Sequence, residues 1–324
     1  MRKKIRLAII IASLAACLAL LFTACGSAAD QQPQDPENAD GIQIVTTIFP
    51  EYDWVQNILG ENPAKAEVTL LLDKGVDLHS FQPSSEDMMK VSSCDLFIYV
   101  GGESDQWVED ALTESVNERG QSINLMEVLG DQAKEEEVIE GMEEEPELDE
   151  HVWLSLQNAS LLCSQIEKAI ADLDPDHADI YETNLKAYQE QLDELDQQYQ
   201  QVVKAAKKDT LVFGDRFPFR YLTDDYGLKY YAAFTGCSAE SEASFETIQF
   251  LAKKVDELKL PCVMTIENSD QKIAQTVIRT TKSQDQKILS MNSMQAVTGE
   301  DAAGGATYLN IMKDNLTVLK EALE

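Results

Sequence analysis

Basic residues are scarce in this chain of 324 residues: 26 Lys and Arg stand against 58 Asp and Glu. Four of the bases (Arg2, Lys3, Lys4, Arg6) crowd into the first 24 residues, which hold no acid, leaving 22 bases against 58 acids elsewhere. A surface that negative repels phosphate backbones, which excludes a general nucleic-acid binder, disfavours anionic substrates and leaves small cations as natural partners. The same excess also serves solubility, so it sets a direction and no more. Histidine is rarer still, with three copies, at 79, 151 and 177. Six cysteines occur, at 17, 25, 94, 163, 237 and 262, without a CxxC pair or a Cys/His finger spacing, so no thiolate metal site is expected. Hydrolase signatures such as H-E-x-x-H are missing as well. What is present, 44% hydrophobic residues, suffices for a folded core and excludes a disordered chain.

The start of the chain sets its address. A basic segment at 2–6 precedes an apolar stretch of sixteen residues at 7–22, short of the ~20 that a spanning helix needs, and then Thr23-Ala24-Cys25-Gly26. Leu21-Phe22-Thr23-Ala24-Cys25 resembles a bacterial lipobox, with Phe22 where Leu is usual. That likeness implies removal of residues 1–24, lipid on Cys25 and an extracytoplasmic protein anchored to the cell membrane. Residues 25–41, rich in Pro, Gln and Asp, read as a flexible tether. Cys94, Cys163, Cys237 and Cys262 then remain in an oxidising compartment, either as buried free thiols or paired within lobes, 94 with 163 or 237 with 262.

Short β-rich runs alternate with helical patterns twice over, the plan of an α/β protein with two similar lobes, each a mostly parallel four-stranded sheet with flanking helices. The runs at 42–49, 67–72, 96–100 and 122–125 form a lobe spanning 42–174. Those at 210–213, 229–234, 262–266 and 287–290 form a second lobe, 209–324, closed by a helix at 305–323. Between the lobes, 176–208 has no Gly or Pro, with Ile180, Leu185, Tyr188, Leu192, Leu195 and Tyr199 at threes and fours. This predicts a rigid linking helix within 175–208, roughly 45 Å long, rather than a flexible hinge.

Two of the histidines stand in informative settings. His79 lies in Asp77-Leu78-His79-Ser80-Phe81-Gln82-Pro83, just beyond a strand, where open α/β sheets bind ligands. His151 begins His151-Val152-Trp153-Leu154 after the run 135–150, which packs ten acids into sixteen residues. That run reads as a solvated loop or a weak cation collector. His177 reads as an exposed first-turn residue of the linking helix.

These segments resemble the D-x-H-x-x-x-P and H-V-W-L-D-P-x-N-A motifs of the TroA-like zinc- and manganese-binding lipoproteins of ABC importers. The likeness runs from about Ile44 to Leu323 and takes in Trp107, Tyr226-Gly227-Leu228 and Glu267. It implies one metal ion held between the lobes by a monomer and delivered to a membrane permease with its ATPase, with no enzymatic activity. His79 and His151 match two family ligands and Glu267 a third, acidic one. The remaining position, a His or Glu five residues before Tyr221, is Arg216 here, and a guanidinium has no acceptor to offer a cation. Asp215 is therefore expected to ligate in its place, with Arg216 holding it by pairing with an acid among residues 240–242. Imidazole and carboxylate suit zinc or manganese; the family's range puts Zn2+ ahead of Mn2+. A surface adhesin with a structural metal and a metallohydrolase are the rival readings.

Overall fold

The computed structural model describes residues 41–137, 148–238 and 242–324. The leader, Cys25, the tether up to residue 40 and the middle of the acidic run lie outside the described residues. Nineteen strands and α-helices follow one another as β1 (Gln43–Thr46), α1 (Phe49–Leu59), β2 (Glu67–Leu70), α2 (Ser85–Ser93), β3 (Leu96–Tyr99), α3 (Trp107–Thr113), β4 (Gln121–Asn124), α4 (Leu125–Leu129), α5 (Leu156–Leu173), α6 (Ala178–Ala205), β5 (Thr210–Phe217), α7 (Arg220–Tyr226), β6 (Lys229–Thr235), α8 (Phe245–Leu258), β7 (Cys262–Ile266), α9 (Lys272–Thr280), β8 (Lys287–Met291), α10 (Gly299–Ala303) and α11 (Tyr308–Ala322). No described helix is long and apolar enough to cross a membrane.

Both sheets are parallel and repeat one order, β2-β1-β3-β4 and β6-β5-β7-β8. Parallel pairing requires crossovers, and it aligns the carboxyl ends of all four strands on one edge of each sheet. That edge carries the candidate ligands. Helix starts are locally encoded: Ser84 accepts from Asp87 N while Asp87 returns the bond to Ser84, and Ser155 accepts from Asn158 N at the head of α5.

The linking helix α6 runs 28 residues, about 42 Å. It is shorter than the apolar pattern because Pro175–His177 forms a separate 3-10 turn and Ala206 turns extended. Tyr181, Leu185, Tyr188, Leu192, Leu195 and Tyr199 are buried along its inner stripe. One continuous core passes from the first sheet, past this stripe, to the inner face of the second. A smaller cluster of Val212, Leu251, Val255, Val263 and Val277 seals the second sheet's outer face under α8 and α9. The two sheets thus share one compact unit, Gly41–Glu324. Helix α11 returns to the first lobe, where Tyr308 N donates to Asp53 Oδ2 at 3.1 Å.

Neither within-lobe disulfide forms: Cys94, Cys163, Cys237 and Cys262 are all free thiols. Cys94, Cys163 and Cys262 sit in the apolar core, where burial pushes their pKa values up and leaves them inert. Dithiothreitol should therefore leave the melting temperature unchanged; a fall on reduction would reveal a bridge.

Candidate metal centre

His79 is placed by a single 3-10 turn, Leu78–Ser80, that follows β2. Asp77 caps it, accepting from His79 N at 3.0 Å and fixing the backbone that carries the ring. His151 heads another such turn, Val152–Leu154, and is fully buried. The two Nε2 atoms lie 3.2 Å apart. An ion bonded to both at 2.0–2.1 Å in tetrahedral geometry would hold them about 3.3 Å apart.

The opposite ring nitrogens are tied down. His151 Nδ1 meets Asp149 Oδ1 at 2.9 Å, and the same oxygen accepts from His151 N. His79 Nδ1 lies 2.8 Å from Ser104 Oγ and 3.4 Å from Glu150 Oε2. With Asp149 accepting from Nδ1–H, the neutral His151 ring must present its lone pair at Nε2. Carboxylate-backed imidazoles of this kind orient toward metals and bind them as stronger bases. Glu150 reaches its place because Gly102, at φ +84°, has no Cβ; one built there would fall 2.4 Å from Glu150 Oε1.

Burial alone would lower the His151 pKa, but the Asp149 hydrogen bond and charge outweigh it and raise it above the ordinary value. Burial likewise works against the Glu150 carboxylate, which bonds from His79 and Ser104 hold below the usual range. The site therefore stores negative charge behind two imidazoles, a preformed environment for a cation.

A third side chain with a ligand atom, Cys237, stands beside these rings. His79, His151 and Cys237 bring one ligand atom each to within 4.8 Å of one another, the one such group among the described residues that could hold a metal ion. The missing CxxC spacing gave no sign of a thiol beside the two imidazoles, where the fold places this one. Cys237 follows β6 in the second lobe, and its N donates to Glu136 Oε1 at 2.8 Å.

Asp215 does not join this group. Its Oδ2 accepts from Ser269 Oγ and its Oδ1 from Arg216 N, because the β5 register breaks between Phe213 and Arg216 and turns the carboxylate toward the loop after β7. Glu267 also stands outside the group, its two oxygens accepting from Ser293 N at 2.7 Å and Ser293 Oγ at 2.6 Å. Both acids line a neighbouring cleft of about 310 Å³ with Asp77 and Arg216. Burial, with Asp77 nearby, keeps the Glu267 pKa raised despite the Ser293 bonds.

Arg216 pairs across the lobes with Asp77 Oδ2 at 2.5 Å, and its Nη1 donates to Ser238 O at 3.5 Å. Of the acids expected to pair with it, Glu240 lies outside the described residues. His177 bonds Asp174 at 2.7 Å, away from the group.

A family model described as ZnuA, zinc-uptake complex component A, periplasmic, matches residues 44–322. The chain belongs to this family. Among its ZnuA-family relatives, the zinc-binding lipoprotein AdcA of Streptococcus pneumoniae is 30% identical over 317 residues. That alignment takes in 96% of this chain but 60% of AdcA, so the chain spans well under two thirds of that relative. The high-affinity zinc uptake system protein ZnuA of Bacillus subtilis is 30% identical over 322 residues, 96% of each chain. In structure, the Zn(II)-bound ZnuA-like domain of Streptococcus pneumoniae AdcA superposes with a TM-score of 0.69 at 29% identity, covering 87% of this chain and 99% of that one.

Sequence reasoning missed two features of the group around His79 and His151. Cys237 carried no spacing signal; what could have found it is its place two residues beyond the end of β6, near the strand-end edge where Glu267 directly follows β7. The acidic run was read as solvated, yet its stems are structural: Glu135 bridges Leu148, and Glu136, Asp149 and Glu150 hold Cys237, His151 and His79.

Proposed function

We propose that this chain is an extracytoplasmic solute-binding lipoprotein, anchored through lipid on Cys25, that captures a divalent transition metal and passes it to an ABC importer permease and its ATPase. Zinc is the cargo and the protein acts as a monomer without catalysing a reaction. His79 and His151 of the first lobe are the first two ligands, and Glu267, facing the adjoining cleft, is the acidic donor from the second. The observation that carries this reading is the 3.2 Å approach of two Nε2 atoms whose Nδ1 partners are fixed. A cation between the rings would take one lone pair from each Nε2, displacing the proton that otherwise bridges them at that distance.

Titration calorimetry with zinc at several pH values tests it. One ion should bind per chain, with affinity falling as pH drops. Because the folded protein raises the His151 pKa, protons compete already above pH ~6.5, the ordinary value. The sign follows from linkage: the bond of protonated His151 to Asp149 stabilises the metal-free form below that pH and is lost as pH rises through the folded pKa. Zinc does the opposite, so its thermal stabilisation should shrink on acidification. Tight binding unchanged at pH 5, or no binding at pH 7.5, would defeat the reading.

A further inference from the structure

Resting on that metal-carrier reading, we propose that Cys237 supplies the second-lobe ligand in place of the His or Glu that the family carries where Arg216 stands, making the centre a sulfur-containing one that takes thiophilic ions and rejects manganese. Three observations carry this. First, the family position five residues before Tyr221 holds Arg216, which offers no lone pair and is already committed to Asp77 at 2.5 Å. The second lobe therefore contributes no nitrogen donor there. Second, Asp215, the nearest alternative, is turned to Ser269, while Cys237 Sγ lies with the two imidazoles in a triangle no side of which exceeds 4.8 Å. Tetrahedral zinc with two nitrogens and a sulfur has edges of about 3.3 to 3.6 Å, so the longest side of the triangle has to close by no more than about 1.2 Å.

Third, the backbone is shaped for the approach. The residue before Cys237 is Gly236, and a Cβ built there would fall 2.8 Å from His151 Cε1 and 3.0 Å from its Nδ1. Only glycine lets the end of β6 press against the His151 ring and deliver the following side chain beside its Nε2. Glu136 Oε1 then fixes the Cys237 amide at 2.8 Å, anchoring the loop to the first lobe.

The chemistry of uptake is simple. The metal bonds to Sγ as the S–H bond breaks heterolytically, the electron pair stays on sulfur, and the proton leaves to solvent. A thiolate with two imidazoles is a soft set that suits zinc, cadmium or cobalt(II), whereas manganese favours oxygen.

Cobalt(II) is the direct probe. The full chain loaded with one cobalt(II) should show a near-ultraviolet sulfur-to-metal charge-transfer absorption, absent from Cys237→Ser. Chelator competition should give Cys237→Ser a zinc affinity lower by at least about 100-fold, beyond the 10- to 100-fold usual for loss of an outer partner, with manganese affinity little changed. Cys237→His should restore zinc binding without the absorption. Matching melting temperatures of the metal-free variants verify the fold. If Cys237→Ser binds zinc like the parent, or the cobalt form lacks the band, the sulfur ligand is overturned while the carrier reading stands. If the parent binds no metal, both fall.

Discussion

Replacing His151 with Ala should abolish the rise in melting temperature that zinc produces. Zinc at 100 times its dissociation constant adds about 2.7 kcal/mol to a protein that binds it only when folded. The folded state is required because His79 and His151 are 72 residues apart in sequence and meet only through the turns after β2 and before α5. Removing either imidazole leaves too few donors to hold the ion beside Asp149 and Glu150. His151 is fully buried, so its loss also weakens the metal-free protein; His79 is partly exposed, and His79→Ala is the cleaner variant. Scanning fluorimetry with chelator and with zinc reads both. A zinc-dependent shift equal to the parent's in either variant would mean the ion binds elsewhere.

Trp153→Ala should be the most destabilising single change in this part of the molecule, at about 3–5 kcal/mol for a large buried aromatic. Trp153 is fully buried two residues after His151. Its Nε1 donates to Ser293 O at 2.8 Å, and Tyr308 OH donates to its carbonyl at 2.7 Å. The indole thus ties the His151 turn to the second lobe at the residue that also holds Glu267. Trp153→Phe separates the two roles. It keeps most of the packing but leaves Ser293 O without that donor, a cost of about 1–3 kcal/mol. Urea unfolding should rank parent, Phe and Ala in that order. Equal stabilities for the Phe and Ala variants would assign the whole effect to the hydrogen bond.

Most of the architecture was legible because period and punctuation act locally. Cys262–Ile266 matches its β-rich run, and Ser84 with Asp87 marks the start of α2. Run ends slipped by a few residues: β1 stops at Thr46 rather than 49, since Phe49 opens α1 with Pro50 in its first turn. Helices α8 and α9, of 14 and 9 residues, were expected only as unbounded flanking helices of the second lobe. At the centre, motif context singled out His79 and His151. It gave no sign that Cys237 stands beside those rings or that Asp215 turns to Ser269, since which strand-end side chain turns inward depends on a register break in β5 and on Gly236, neither of which leaves a pattern in neighbouring residues.

Helix α6 bears on how a loaded copy would be told from an empty one. Its 28 residues contain no Gly or Pro, and its inner stripe is buried along the common core, so no residue in it is free to absorb a large backbone rotation. A membrane partner would then meet nearly the same outline in both cases. What changes is the charge at the mouth between the lobes, where a dication arrives beside Asp77, Arg216, Asp149 and Glu150. Recognition of cargo is on this account an electrostatic message, written within a few ångströms of the ion and weakened as ionic strength rises.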